Sequence, residues 1–254
     1  MEPIRVGVGN FQEPLDSAFE EALRPVRTST GPIGVLFSGG VDSALLAWEL
    51  RRRPAVLLCT LGREGSPDLR AGRAGAERLG LPWEGLPVGP DEVRRAESRF
   101  GDELGGVSPV ARTVLLTLAI AIAEASPPRL VCGQGVDELF LGYAHYRNLD
   151  AVEAEKRSRE DLARLRATDW PRTQRIAESV GKAVIAPYLT ASFEECARNV
   201  PTHLRLPGDL PKRFFREWAV GRGLPVGMAD RPKKAVQYGS GVDSLVRALR
   251  RSER

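Results

Sequence analysis

A glycine-rich hexapeptide stands between an apolar segment and a helical pattern. Residues 33–37 have the sequence IGVLF, a short apolar run that is typical of a buried strand. SGGVDS follows at residues 38–43, and residues 43–53 continue with helical spacing. A glycine loop between a strand and a helix presents backbone N–H groups and the positive helix end to an anion. This order predicts an anion-binding loop at residues 38–43.

The side chains of the hexapeptide extend this prediction. Ser38 and Ser43 can add hydroxyl donors, and Gly39 and Gly40 allow an anion to come close to the backbone. Asp42 would repel a phosphate unless a cation lay between them, so it indicates a magnesium ligand. The segment is neither a Walker A loop nor a dinucleotide fingerprint, because it lacks both GK[ST] and G-x-G-x-x-G.

A second segment, GSGVDS at residues 239–244, is similar to the first in composition. Its glycines stand in another order, and the preceding residues 235–238 have the sequence AVQY, which does not predict an apolar strand. Since the strand–loop–helix order is missing, we interpret this segment as an ordinary loop and helix start.

Strand and helix patterns alternate over residues 33–133. Apolar runs predict strands at 33–37, 55–60, 83–88 and 129–133. Helical patterns lie between them, at 43–53, 66–79, 91–99 and 108–125. Such alternation indicates βαβ units, so we predict an α/β fold with a doubly wound, mostly parallel sheet.

The two ends of the chain differ from this middle part. Residues 1–30 show little pattern, and we interpret them as an N-terminal extension to one domain at 31–254. From about residue 138 the chain becomes helical and charged, with helical patterns at 150–168 and 172–184. The segment 242–254 is predicted to be a basic amphipathic helix or a frayed end.

Composition excludes several classes of protein. The 254 residues carry a net charge of +4 and are 42% hydrophobic, which argues against a disordered chain and is too little charge to indicate a nucleic-acid partner. Three cysteines without a CxxC pair argue against a zinc knuckle or a disulfide framework. The longest apolar stretch, 114–123, is shorter than the ~20 residues that cross a bilayer. With no signal-peptide pattern at the start, we expect a cytoplasmic protein without a membrane partner.

The loop and four further blocks resemble one known family. SGGVDS is similar to the pyrophosphate loop of the N-type ATP pyrophosphatases, the PP-loop superfamily. The other blocks resemble segments of asparagine synthetases and β-lactam synthetases, in the same order: REGSPD at 63–68, CGQGVDELFLGY at 132–143, APYL at 186–189 and RPKK at 231–234. The resemblance covers residues 33–240 and implies the PP-loop, adenine nucleotide alpha hydrolase-like fold.

This resemblance implies an activity and a set of site residues. The family adenylates a carboxylate with ATP and Mg²⁺, releases pyrophosphate, and lets ammonia or another amine displace AMP. The residues that would bind the nucleotide are Phe37, Ser38, Gly39, Gly40, Asp42, Ser43, Leu61, Cys132, Gly133 and Asp137. Among these, Asp42 and Asp137 would bind the metal, with Asp42 counted also as catalytic. Lys233 would stabilise charge on the α-phosphate and the leaving group, with help from Arg231.

Two departures from the family pattern affect the nitrogen step. Gln134 stands where the asparagine synthetases have a glutamate, and an amide cannot accept a proton as that carboxylate would. Glu2 stands where the glutamine-using members have a nucleophilic cysteine. We therefore expect no glutaminase activity in this chain, and a nitrogen source that is free ammonia, another amine, or ammonia from a separate glutaminase subunit.

Three functions are compatible with these residues. The favoured one is a stand-alone amide ligase acting on a small carboxylic acid, alone or as a homo-oligomer. A tRNA-modifying PP-loop pyrophosphatase would share the loop, although thiolating members need paired cysteines. A catalytically altered ATP-binding protein would explain Gln134, but the presence of Asp42, Asp137 and Lys233 together argues against it.

Overall fold

The computed structural model describes residues 9–208, 210–232 and 235–252. The described residues form five strands, β1 Ile33–Leu36, β2 Val56–Gly62, β3 Trp83–Pro87, β4 Arg129–Val131 and β5 Ala183–Ile185. The first helices are α1 Gly9–Thr28, α2 Val41–Leu50, α3 Pro67–Leu79, α4 Pro90–Arg99, α5 Gly101–Leu104, α6 Pro109–Glu124, α7 Val136–Leu139 and α8 Ala151–Arg164. The later helices are α9 Trp170–Ser179, α10 Ala191–Asn199, α11 Thr202–Arg205, α12 Arg213–Gly221, α13 Val226–Ala229, α14 Val236–Gly239 and α15 Val242–Ser252. Lys233, which the sequence resemblance marks as catalytic, lies outside the described residues.

The chain divides into two compact units. The α/β unit is built from the segments 31–132, 168–185 and 231–254. The helical unit is built from the segments 1–30, 133–167 and 186–230. Each unit therefore combines segments that are far apart in the sequence.

The α/β unit contains one five-stranded sheet in the order β3-β2-β1-β4-β5. All neighbouring strands run parallel, with Ile33 paired with Val56 on one side and with Arg129 on the other. The central β1 is buried, in agreement with its continuous apolar run. The predicted doubly wound α/β fold is confirmed, and the sheet is entirely parallel.

Local signals set the bounds of several helices in this unit. Ser66 caps α3 by accepting a hydrogen bond from the N–H of Leu69, and Gly80 ends the helix with a φ of 64°. The predicted helix at 172–184 is only partly right, because α9 ends at Ser179 and β5 follows. The short β5 pairs in parallel with β4, at the edge of the sheet.

The helical unit includes α1, which lies where the sequence shows little pattern. Pro14 and Pro25 stand inside this helix and weaken its sequence signal. Its apolar face is nevertheless buried: the ring of Phe19 stacks on Tyr188 at 5.2 Å between centroids. Across the residues that the structure describes, α1 and every other helix are too short or too polar to cross a membrane.

Candidate active site

The hexapeptide forms a tight loop between β1 and α2 in the α/β unit. Gly39 has a φ of +70°, and a Cβ at this position would lie 2.8 Å from Nη1 of Arg231 and 3.3 Å from Cβ of Ala71. Ser43 Oγ donates to the carbonyl of Gly40 at 3.1 Å and accepts from the N–H of Ser38 at 3.3 Å. Glycine is therefore required at position 39, and the loop is closed by its own hydrogen bonds.

The first turn of α2 contributes the positive helix end to this loop. Gly40 is the N-cap residue and has no side chain to cap the helix. The first N–H groups of α2 are therefore available as hydrogen-bond donors to an anion. Asp42 lies in this turn and is 6% exposed. Its carboxylate is an oxygen ligand of the kind that Mg²⁺ prefers.

Arg231 covers the loop from the last segment of the α/β unit. Its Nη1 donates to the carbonyl of Ser38 at 3.0 Å. Gly39, Gly40 and Ser43 are buried, and Ser38 is half-buried. The loop is thus a covered site with a guanidinium beside it, and the positive charge complements an anion bound at the loop.

Three apolar residues that were predicted to contact a nucleoside lie at the carboxyl ends of β1, β2 and β4. Phe37 is 1% exposed, Leu61 6% and Cys132 3%. The N–H of Phe37 donates to the carbonyl of Cys59 at 2.8 Å, which extends the β1–β2 pairing by one residue beyond the strand. Because these strands are neighbours in the sheet, the structure brings the three residues to the same edge as the loop.

The second glycine segment is a loop and a helix start, as predicted. Gly239 ends α14, Gly241 has a φ of +82°, and α15 begins at Val242. The N–H of Arg63 donates to the carbonyl of Ser240 at 2.8 Å. A Cβ on Gly239 would overlap the carboxylate of Asp68. This segment therefore supports the loop after β2, within the same unit.

The helical unit carries the predicted residues Gly133, Gln134 and Asp137. Gly135 has a φ of +101°, and a Cβ there would lie 2.7 Å from Cδ2 of Leu189, so this turn also requires glycine. Asp137 lies in the first turn of α7, and Gln134 is half-buried.

Lys212 is a functional candidate that the sequence analysis missed. Its Nζ lies 2.9 Å from Oδ1 of Asp137, and the lysine is 7% exposed. The chain has only five lysines, against 32 arginines, so the use of a lysine here was an available signal. The ion pair holds the carboxylate of Asp137, although the two residues are 75 positions apart in the sequence.

The neighbour of Asp137 is a buried carboxyl group. Burial, together with the smaller effect of the nearby charge of Asp137, raises the pKa of Glu138 to about 7. Tyr143 donates its hydroxyl to Oε1 of Glu138 at 2.7 Å. This hydrogen bond satisfies the buried oxygen.

Each of the two carboxylates predicted to bind magnesium is an oxygen ligand of the kind that this ion takes. Among the described residues, no group of three or more His, Cys, Asp or Glu is placed to hold a metal ion. Mg²⁺ is commonly bound by one or two carboxylates together with phosphate oxygens and water. Asp42 in the α/β unit and Asp137 in the helical unit each offer one carboxylate of this kind.

The fold and the loop place this protein among the parallel α/β proteins with a glycine loop between the first strand and the following helix. Comparison with known proteins identifies the family within this class. The family model "Asparagine synthase" matches residues 14–160 and 150–254. The chain belongs to the asparagine synthase family.

Individual relatives agree with this assignment. The chain is 28% identical over 241 residues to the glutamine-hydrolyzing asparagine synthetase of Rattus norvegicus, covering 89% of this chain and 43% of the relative. It is 28% identical over 235 residues to that of Gallus gallus, covering 87% and 42%. The chain thus spans about half or less of the curated relatives that it matches.

A solved structure is also similar. The NMN synthetase from Francisella tularensis matches with a TM-score of 0.46 and 11% identity, covering 91% of this chain and 77% of that one.

Proposed function

We propose that the chain is a cytoplasmic AMP-forming amide ligase. It joins a small carboxylic acid to ammonia or another amine with ATP as the energy source. The observation that carries this proposal is the closed glycine loop at residues 38–43, with Arg231 beside it, in a member of the asparagine synthase family.

In the first half-reaction, an oxygen of the acid attacks the α-phosphorus of ATP. The bond between the α- and β-phosphates breaks, and pyrophosphate leaves with both bonding electrons. The N–H groups at the start of α2 and the guanidinium of Arg231 would bind the negative charge of this leaving group. Phe37, Leu61, Cys132 and Gly133 would contact the adenosine.

Asp42 and Asp137 would hold Mg²⁺, which supplies charge neutralisation for the phosphates when it is bound. Lys212 would hold the carboxylate of Asp137 in place and add a second positive charge. Lys233 remains the proposed catalytic lysine, by the resemblance of residues 231–234 to the family segment.

In the second half-reaction, the amine attacks the acyl carbon and AMP leaves. The attacking nitrogen must lose a proton, and Gln134 cannot accept it. We therefore propose that Gln134 only hydrogen-bonds to the intermediate or the amine. The nitrogen source would be ammonia, free or supplied by a separate glutaminase, or another amine.

Exchange of labelled pyrophosphate into ATP tests the first half-reaction. A panel of small carboxylic acids is added one at a time, and exchange that depends on one acid is expected. Exchange that depends on tRNA would instead support the tRNA-modifying alternative. Binding of ATP without any exchange would support an ATP-binding protein that has lost catalysis, and would overturn the ligase.

Asp42→Asn tests the proposed role of the loop carboxylate. The amide keeps the size of the side chain and removes its charge, so we expect the acid-dependent exchange to disappear while the protein stays folded. Asp91→Asn is the matched control, because Asp91 forms an exposed ion pair with Arg94 on α4. Full exchange activity in Asp42→Asn would remove this residue from the metal site.

A further inference from the structure

The short helix α7 carries Asp137, and side chains from distant segments hold its end. A four-residue helix cannot stabilise itself, because it forms too few internal hydrogen bonds. The carbonyl of Glu138 accepts a hydrogen bond from Oγ of Ser158 at 2.8 Å. The carbonyl of Leu139 accepts one from Nη1 of Arg205 at 2.8 Å. Both donors belong to the same unit as α7.

Arg205 is built into the core in a way that fixes its guanidinium. The residue is 1% exposed. Its Nε donates to the carbonyl of Val200 at 2.9 Å, and its Nη2 forms an ion pair with Glu155. Nη2 also donates to Oγ1 of Thr202 at 3.3 Å. Because residues outside α7 hold the guanidinium, it fixes the position of the Leu139 carbonyl.

Ser158 is an equally buried anchor on α8. It is 2% exposed, and its hydroxyl bonds directly to α7. The remaining carbonyls of α7 are satisfied by the backbone: Val136 accepts from the N–H of Phe140 at 2.9 Å, and Asp137 from that of Gly142 at 2.8 Å. The side-chain anchors thus act on the two carbonyls directly after Asp137.

We propose that Arg205 and Ser158 are positioning residues that hold α7 so that the carboxylate of Asp137 is preorganised for a divalent cation. The proposal rests on the proposed function, since that function assigns the metal to Asp137. It adds that part of the metal affinity resides in two residues that do not contact the metal. Outer partners of metal ligands commonly matter in this way.

The test uses Arg205→Lys and Ser158→Ala in the full chain. Lysine keeps the charge but cannot bond to Leu139, Val200 and Glu155 together, and alanine removes one hydroxyl. Binding of Mn²⁺ in the presence of α,β-methylene ATP is measured by electron paramagnetic resonance. We expect affinity to fall by about tenfold to a hundredfold in Arg205→Lys, and by about tenfold in Ser158→Ala. In the absence of metal, the backbone amides of residues 136–142 should exchange hydrogen faster in both variants than in the wild type.

Arg159→Gln is the matched control. Arg159 is an exposed partner of the same Glu155, at 2.9 Å, and lies on α8 rather than on α7. It should keep the wild-type Mn²⁺ affinity. If Arg205→Lys does not fold, Ser158→Ala decides the question alone.

Asp137→Asn distinguishes a failure of the positioning inference from a failure of the proposed metal site. If it loses Mn²⁺ affinity while folded Arg205→Lys and Ser158→Ala keep the wild-type value, the positioning inference is overturned and the metal site stands. If Asp137→Asn itself keeps the wild-type affinity, the proposed metal assignment fails, and the positioning inference fails with it.

Discussion

The two carboxylates proposed to bind magnesium are held in different ways. Asp42 follows a loop that is closed by its own residues: Ser43 bonds to Gly40, and the N–H of Ser38 bonds to Ser43. All of these partners lie within five residues of one another. The hydrogen bonds within the loop before Asp42 are therefore set by local sequence, and Arg231 adds one bond, to Ser38, from a distant segment.

Asp137 depends on partners from distant parts of the chain. Lys212 contacts its side chain, and Ser158 and Arg205 hold the carbonyls that follow it. These partners lie 21 to 75 residues later in the sequence. A locally closed loop is disrupted by a change within it, whereas a remotely held helix can be disrupted by changes far from the carboxylate.

Among changes that leave the two carboxylates in place, the largest effect should come from Gly39→Ala in the locally closed loop. Alanine disfavours a φ of +70°, and its Cβ would lie 2.8 Å from Arg231. Because a shift of about 1 Å at a reacting group can cost about a hundredfold in rate, we expect at least that loss in acid-dependent exchange. The measurement is the pyrophosphate exchange rate with saturating ATP.

Gly31→Ala provides the control for backbone strain. Gly31 has a similar φ of +83°, but nothing lies within 4 Å of a Cβ built there. We expect Gly31→Ala to lose about 1 kcal/mol of stability and to keep its exchange activity. Equal loss of exchange in both variants would contradict a specific role for the loop.

Lys212→Met should have the next largest effect, at the remotely held carboxylate. Methionine keeps most of the length of the side chain and removes the charge that pairs with Asp137. We expect the exchange rate to fall by about tenfold to a hundredfold, as for other outer partners of metal ligands. The rate is measured as a function of Mg²⁺ concentration.

The neighbouring Arg213 supplies the control. It forms an exposed ion pair with Glu217 at 2.8 Å, and such pairs contribute about 0–1 kcal/mol. Arg213→Gln should leave the exchange rate unchanged. A Lys212→Met protein with the wild-type rate at every Mg²⁺ concentration would show that Asp137 needs no counter-ion.

This difference also explains what sequence reasoning could predict. The parallel sheet, the hexapeptide loop and the bounds of α3 follow from apolar runs, glycines and caps, all of which are local signals. Lys212, Ser158 and Arg205 act through contacts across the fold, and no spacing rule connects them with Asp137. Helix α1 was missed for a related reason, since packing rather than its own pattern stabilises it.

Low pH should lower the free energy of unfolding by a small amount, through Glu155, the partner of Arg205. Burial by itself would raise the pKa of Glu155, but hydrogen bonds and charges from Arg159 and Arg205 lower it to about 2, from an ordinary value of 4.5. A lowered pKa stabilises the folded protein above pH 4.5, and this contribution is lost as the pH falls toward 2. After solvent screening, we expect roughly 1–2 kcal/mol.

Urea unfolding of the wild type and Glu155→Gln at several pH values measures this contribution. The difference in unfolding free energy between the two proteins should be largest above pH 5 and should shrink as the pH approaches about 2. Glu77→Gln is the control, since Glu77 forms an exposed ion pair with Arg73 on α3. A difference that is independent of pH would contradict the lowered pKa.

The smallest effect on adenylation should come from Gln134→Glu. The two side chains have the same shape, and the proposed role of residue 134 begins only after pyrophosphate has left. We expect the exchange rate to stay within about twofold, as for a residue that acts after the transition state of this step. Amide formation with added ammonia should increase, because glutamate can accept the proton that glutamine cannot.

A large loss of exchange would place Gln134 in the first half-reaction, and unchanged amide formation would show that proton removal at this position does not limit the second. Pyrophosphate exchange reports the first half-reaction and amide formation reports the second, so comparing both rates in Gln134→Glu assigns residue 134 to one of them. Variants of Asp42 or Asp137 cannot make this distinction, because both carboxylates are proposed to act already in the first half-reaction.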